Sequence, residues 1–375
     1  MLKVLFAPLQ GYTTGIYRKA HAEIFGGVDA YYAPFLRIEN GSPRERDLRD
    51  LENAEGNCAG SADENRARYK VIPQIIANNV SEFKPLAEAL LQKGFTDIDF
   101  NMGCPFPMQV NRHRGAGILS DAQAVQEIMD EIKRLSGSAT IANGTASAKA
   151  NGTALSKAKG NVPLKFSVKM RLGQESPDEA FALRPILNDT PLAHITLHPR
   201  LGKQQYKGAI DFNSFERFYN ECKHPLVYNG DITAVSQIYE MERKYPKLMG
   251  VMIGRGLLAR PRLAAEYKDL SCKNEAGSAQ SNINGANESN EAESAQSSNR
   301  YINCATPQDF LGKVLQMHQA IFDKACQTYQ GDSQILSHIQ SFWEYLEPSI
   351  PKKIFKRIKK AGKLSEYSEA VKDLS

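Results

Sequence analysis

Apolar and polar positions follow two rhythms along this chain, and the rhythms take turns. Short apolar runs closed by Gly, Pro or a polar cluster read as strands: Lys3 to Pro8, Asp29 to Ala33, Val71 to Ile76, Phe95 to Phe100, Lys165 to Leu172, Ala193 to His198, Pro225 to Gly230 and Met249 to Arg255. Between them, Glu82 to Lys93, Asp121 to Leu135, Asp178 to Leu187, Phe212 to Glu221 and Ala234 to Lys244 repeat apolar residues at the spacing of a half-buried helix. Eight strands alternating with helices over roughly 260 residues predict a (β/α)8 TIM barrel. An open doubly wound sheet gains no support, since no GxGxxG turn follows the first strand.

Two stretches break the rhythm. Ser136 to Gly160 and Glu275 to Asn299 consist almost wholly of small and polar residues, which bury too little apolar surface to offset the entropy of ordering them. From Thr306 onward the pattern is all helical, over Pro307 to Gln327, Gln334 to Tyr345 and Lys352 to Ala361. The expected organisation is a barrel domain over 1–265 with a flexible insertion near 136–162, a low-complexity linker over 271–300, and an all-helical C-terminal domain over 301–375. Phe342, Trp343, Tyr345 and Leu346 read most simply as helix–helix packing.

Composition sharpens this picture in three places. The chain has 375 residues, 42% of them hydrophobic, enough for a large core and more than one compact unit. Its cysteines, Cys58, Cys104, Cys222, Cys272, Cys304 and Cys326, form no CxxC pair and no zinc spacing, which suits free thiols in a reducing cytoplasm and argues against a bound metal. The N-terminal apolar run is too short for a signal peptide, and no stretch approaches membrane-spanning length. A net charge of +5 is unremarkable by itself, but Lys352, Lys353, Lys356, Arg357, Lys359, Lys360 and Lys363 crowd one amphipathic segment, suited either to a solvated face or to a phosphate backbone.

The candidate chemistry lies at strand ends. In a barrel of this type these ends converge on one mouth, so Pro8, Gln74, Asn101, Cys104, Lys169, Arg171, His198, Asn229, Gly254 and Arg255 would surround one space. Asn229-Gly230-Asp231 and Gly254-Arg255-Gly256 suit an anion, because glycine permits close backbone approach and arginine binds two oxygens at once. Gln74, Asn101 and Lys169 offer two amides and a cation to a flat, polar-edged ring. Flavin mononucleotide (FMN) has both a phosphate and such a ring.

Ala7-Pro8-Leu9, Asn101-Met-Gly-Cys104-Pro105 with Val110-Asn111-Arg112, Val168-Lys169-Met-Arg171-Leu-Gly173, His198-Pro-Arg200 with Gln205-Tyr-Lys-Gly208, Asn229-Gly-Asp231 and Gly250-Val-Met-Ile-Gly-Arg255 together resemble the ordered signature of the tRNA-dihydrouridine synthases. The helical tail resembles that family's tRNA-binding domain, and Ser337 to Leu346 looks closest to the bacterial branch acting on D-loop position 16. The resemblance implies reduction of a tRNA uridine to 5,6-dihydrouridine, with Cys104 as general acid and NADPH (or NADH) as electron donor. It implies flavin contacts from Pro8, Leu9, Gln10, Gln74, Asn101, Lys169, Arg171, His198, Asn229, Gly230, Asp231, Gly254 and Arg255, and tRNA contacts from Asn111, Arg112, Lys352, Lys353, Lys356 and Arg357. It further implies a cytoplasmic monomer acting on the D-loop. Leu9 stands where the family usually has methionine, Gly115-Ala116-Gly117 where it has three glycines, and His198-Pro199-Arg200 where His-Gly-Arg is common.

Three other readings use the same residues. One is an FMN barrel acting on a free pyrimidine such as dihydroorotate, to which the basic tail would be useless. Another is an aldolase-like barrel with Lys169 as Schiff-base nucleophile, and it predicts a colourless protein. The last is a non-catalytic RNA-binding barrel, which has no need of Cys104.

Overall fold

The computed structural model of the chain describes residues 1–51, 70–141, 164–281 and 307–374. The greater parts of the expected insertion and linker, with Cys58 and Cys304, lie outside the described residues. The strands are β1 (Lys3–Phe6), β2 (Ala30–Tyr32), a small antiparallel hairpin of β3 (Ile38–Glu39) and β4 (Ser42–Pro43), β5 (Val71–Ile72), β6 (Gln74–Ile75), β7 (Asp97–Met102), β8 (Lys165–Gly173), β9 (Leu192–Leu201), β10 (Leu226–Tyr228) and β11 (Leu248–Ile253).

Apart from the hairpin these form one parallel sheet in the order β5-β2-β1-β11-β10-β9-β8-β7-β6. β5 and β6 are its two edges in pairing order but neighbours along the chain, separated by Pro73 alone, so the sheet closes on itself as a barrel. Proline has no N–H for the ladder; its carbonyl still accepts from the Asp99 N–H at 3.0 Å. The expected strand Val71 to Ile76 is therefore one stave broken in the middle, and its halves bind β2 and β7. At the other seam β1 pairs with β11, Lys3 opposite Gly250 and Phe6 opposite Ile253.

Alternation along the staves sorts side chains between two cores. Outward residues such as Val4, Phe6, Ile98, Phe100, Phe166, Val168, Ile195 and Val251 join one continuous apolar cluster with the surrounding helices. Inward, Leu5, Ala30, Tyr32, Ile72, Val227 and Met252 fill the barrel with a second, smaller cluster. The helices are α1 (Gly15–Ile24), α2 (Glu45–Arg49), α3 (Val80–Gln92), α4 (Pro107–Val110), α5 (Ala122–Ile141), α6 (Asp178–Asn188), α7 (Phe212–Glu221), α8 (Val235–Lys244), α9 (Arg255–Ala259) and α10 (Leu263–Ser281). α5 and α10 each extend into the low-complexity stretches that follow them.

Four further helices, α11 (Pro307–Thr328), α12 (Asp332–Ile339), α13 (Lys352–Lys360) and α14 (Leu364–Lys372), build the C-terminal region. Fully buried Trp343 donates its indole N–H to the Tyr367 hydroxyl at 2.8 Å, and His318 Nε2 lies 2.7 Å from the same oxygen. The region docks on α1, where Tyr17 meets Phe342 at 6.2 Å between ring centroids. α13 turns Ile358 inward and leaves its lysines in solvent.

Candidate active site

β7 carries the alternation Asp97-Ile98-Asp99-Phe100-Asn101, with Ile98 and Phe100 in the outer core. Asp99 and Asn101 therefore face the interior. In β8 the same rule turns Val168 and Met170 outward and Lys169 and Arg171 inward, as the sequence predicts. A cavity of about 690 Å³ opens at the C-terminal ends of the staves, well within the size of small-molecule sites. Pro8, Leu9, Gln10, Gln74, Asn101, Cys104, Lys169, Arg171, His198, Asn229, Gly230, Asp231, Gly254 and Arg255 all line it.

Cys104 is held through the backbone of its own loop, which side chains of β7 and β8 grip. Asn101 Oδ1 accepts from the N–H groups of Gly103 at 3.0 Å and Cys104 at 2.9 Å. The Arg171 guanidinium donates from Nε to the Gly103 carbonyl and from Nη1 to the Leu201 carbonyl, both at 2.9 Å. Ala116 N–H closes the loop on the Cys104 carbonyl at 2.9 Å. Burial pushes the Cys104 thiol above its ordinary pKa, against smaller opposing effects of the Phe106 backbone, Arg171 and Lys169. The sulfur is therefore a protonated thiol near neutral pH, able to give a proton and poorly disposed to act as a thiolate nucleophile.

Cations crowd the same cavity. Burial, with Arg171 close by, brings the Lys169 ammonium down to about 8. Burial and the surrounding Arg171, Lys169, Arg200 and Arg255 hold His198 well below the usual imidazole range, so it is neutral. Asp231 is the acid of this group. It accepts from Arg200 at 3.1 and 2.5 Å and from Arg255 at 2.7 Å, and the Arg200 bond foremost depresses its pKa. Tyr206 lies between two guanidiniums, 4.8 Å from Arg255 and 5.5 Å from Arg171.

Beneath the cavity, Gln74 Nε2 donates to Asp99 Oδ2 at 2.7 Å, Asn101 Nδ2 donates to Gln74 Oε1 at 2.6 Å, and Ser167 donates to Asp99 Oδ1 at 2.5 Å. Burial raises the Asp99 carboxyl to about 6.

Not every predicted residue shares this space. Asn111 and Arg112 are exposed on the turn after α4 and do not line the cavity, although Pro107 to Gln109 do. Lys352, Lys353, Lys356 and Arg357 lie on α13, all exposed and outside the cavity. Arg357 is ion-paired with Asp373. Conversely, Tyr12, Phe35, Arg37, Phe106, Met108, Tyr206 and Tyr345 line the cavity without having been singled out for it. Tyr345 does more than the packing expected of it: Phe342, Trp343 and Leu346 are buried, whereas Tyr345, half-buried against the core, also reaches the cavity and meets Tyr12 edge-on at 5.2 Å. Asp99 could have been found, because strand alternation sets it on the face of Asn101. Tyr345 carries no such signal.

Among the described residues no His, Cys, Asp and Glu cluster is arranged to hold a metal, and no helix is long and apolar enough to cross a membrane.

Comparison with known proteins adds lineage to this geometry. A sequence model of the family described as "Dihydrouridine synthase" matches residues 5–142 and 136–359. The tRNA-dihydrouridine(16) synthase of Pseudomonas syringae pv. tomato is 27% identical over 273 residues, 71% of this chain and 74% of that protein. The tRNA-dihydrouridine(16) synthase of Neisseria meningitidis serogroup B is 25% identical over 268 residues, 71% of each chain. Among solved structures, morphinone reductase aligns over 71% of this chain and 85% of that one, at 10% identity and a TM-score of 0.46.

Proposed function

Since the chain belongs to the dihydrouridine synthase family, we propose that it reduces a uridine of tRNA to 5,6-dihydrouridine in the cavity at the barrel mouth, with Cys104 as the proton donor. The observation that carries this is a buried cysteine, its thiol pushed up by burial, in the wall of a cavity shared with Lys169, Arg171, His198 and Arg255.

The donor set fits a flavin mononucleotide. Gln74 and Asn101 would present amides and Lys169 a cation to a ring with carbonyl and nitrogen edges, flanked by Pro8, Leu9 and Gln10. Asn229, Gly230 and Asp231 with Gly254 and Arg255 stand at adjacent stave ends, where backbone N–H groups and a guanidinium would take the phosphate. Asp231 would tether Arg255 beside it. When bound, and reduced by NADPH or NADH, the flavin would supply hydride to C6 of uracil.

The remaining work falls to the chain. Cys104 Sγ donates its proton to C5 as negative charge develops on the conjugated carbonyl, and recovers one from solvent through the mouth. Lys169 and Arg171 stabilise that charge from fixed positions. Neutral His198 adds a polar contact without a second proton to compete with the thiol. A target base folded into tRNA must leave its stack to reach the cavity, and the rim offers Phe106, 49% exposed, and Met108, 66% exposed, to meet it.

The tRNA would dock through the exposed lysines Lys352, Lys353 and Lys356 with Arg357 on α13, and through Asn111 and Arg112 beside the cavity, one protein monomer on each tRNA. The barrel over 1–265 would be the catalytic domain and 301–375 the tRNA-binding domain. The relatives' names support D-loop position 16 as the target, and a tRNA substrate supports the cytoplasm as its location.

The test is an absorption spectrum of the purified protein before and after NADPH under anaerobic conditions, followed by dihydrouridine mapping in a strain lacking the gene. A flavin spectrum that bleaches, with position 16 left unmodified, is the expected result. Failure to bind FMN when it is supplied would sink the proposal. Loss at a different D-loop position would correct the target alone.

A further inference from the structure

The buried hydrogen bonds beneath the cavity have a direction, and that direction is set at both ends. At one end the N–H groups of Gly103 and Cys104 can only donate, so the Asn101 carbonyl oxygen must face them. The Asn101 NH2 is then turned toward Gln74 and meets its carbonyl oxygen at 2.6 Å. The Gln74 NH2 in turn points down the barrel and needs an acceptor. Asp99 supplies it at 2.7 Å, and its other oxygen takes the Ser167 hydroxyl at 2.5 Å. Gln74 and Asp99 are 0% exposed, Ser167 3% and Asn101 6%, so bulk water is no ready substitute for a missing partner.

An ionised carboxylate accepts and never donates, which is what this position requires. A group at 99 able to donate would let Gln74 reverse. Its NH2 would then face the NH2 of Asn101, and Asn101 could keep a bond to Gln74 only by turning its oxygen away from the Cys104 loop. Asp99 does not itself line the cavity, so it acts through others.

We propose that Asp99 is a positioning residue, which fixes the facing of the Gln74 and Asn101 amides and thereby holds the loop that presents Cys104. Its bearing on catalysis rests on the reading of Cys104 as the proton donor; its bearing on the loop does not.

The experiment measures how fast iodoacetamide alkylates Cys104 in the full-length protein, with and without FMN, by peptide mass spectrometry. Three variants are compared with wild type: Asp99→Asn, Gln74→Glu, and the two combined. Asp99→Asn keeps the shape but can face Gln74 with either end of its amide. The loosened loop is expected to alkylate about tenfold faster. Gln74→Glu sets two carboxylates against each other and is expected to loosen the loop as well. In the combined variant the new amide at 99 donates to the new carboxylate at 74, which still accepts from Asn101, while Ser167 still donates to position 99. Every bond is restored with two roles exchanged, and the alkylation rate should return to within about threefold of wild type.

A rate in Asp99→Asn within about twofold of wild type would overturn the proposal, as would a combined variant no slower than its parents. A merely structural role lowers the melting temperature of all three without this reversal. Should Asp99→Asn fold too poorly to assay, recovery of folded, slowly alkylated protein in the combined variant supports the proposal and its absence refutes it. If wild type proves unable to reduce uridine, the proposed function fails while the alkylation rates still decide the role of Asp99.

Discussion

Gly115 lies so close under Cys104 that a Cβ at position 115 would stand 2.6 Å from the Cys104 carbonyl oxygen and 2.7 Å from its Cβ. Its φ of +60° is also one that side chains resist. Gly115→Ala should therefore cost at least about 2 kcal/mol of stability or push the Cys104 loop outward. Urea denaturation together with single-turnover uridine reduction would show which. An alanine variant with unchanged stability and rate would contradict the packing described.

Cys104→Ala should leave flavin binding and its reduction by NADPH unaffected and lower single-turnover reduction of tRNA by about a hundredfold or more. Stopped-flow spectroscopy separates the two half-reactions. A normal second half-reaction would mean that another group supplies the proton.

Lys352, Lys353, Lys356 and Lys360 are exposed on α13, and no ion pair engages them among the described residues. Changing all four to alanine should weaken tRNA binding at least about tenfold at moderate ionic strength and flatten the slope of log K against log salt by about 3. Flavin reduction should not change. Filter binding across a salt series provides the measurement, and an unaltered slope would move the docking face elsewhere.

Burial brings His21 and His194 down to about 4 and His318 to about 3, from an ordinary value of 6.5. Each stays neutral in the folded chain while its unfolded counterpart takes a proton below 6.5. The unfolded state thus binds more protons in this window, and stability falls as pH falls, by about 2.5 kcal/mol for each histidine at pH 4.5. The urea midpoint should drop steeply between pH 6.5 and 4.5, and less so in His318→Gln. A flat profile would mean that these histidines are charged in the folded protein.

The barrel was legible where a strand obeys strict alternation, as β7 and β8 do, because there the apolar residues mark the face turned to the surrounding helices and the polar ones the face turned to the barrel interior. It was less so where polar groups carry the burial. α1 packs into the core with Arg18, 1% exposed, and His21, 0% exposed. Arg18 is held through its two Nη groups by Asp50 and the Thr13 carbonyl, with its Nε left without a partner among the described residues, and His21 is held by the Tyr31 hydroxyl and the Pro261 carbonyl. Read along the chain, those side chains look like a solvent face, and the helix goes unpredicted.

The site divides along the same line. Residues at strand ends were found because barrel geometry converges there, and all of those predicted for the flavin line one cavity. Asp99 sits one layer deeper, and Tyr345 arrives from another part of the chain, where its aromatic neighbours are core. Distance in sequence hid it, since nothing local distinguishes Tyr345 from Trp343.

The pairing of β1 with β11 has a consequence for how the molecule is made. Lys3 leaves the ribosome long before Gly250 and must wait for it before its stave is flanked on both sides. Through that interval the first strand presents an open edge of backbone donors and acceptors, available to chaperones or to another nascent chain. Any truncation that ends before β11 should leave that edge permanently open, and such fragments should aggregate rather than accumulate as half-barrels. The last strand in the sheet is thus also the one that ends the chain's vulnerability during synthesis.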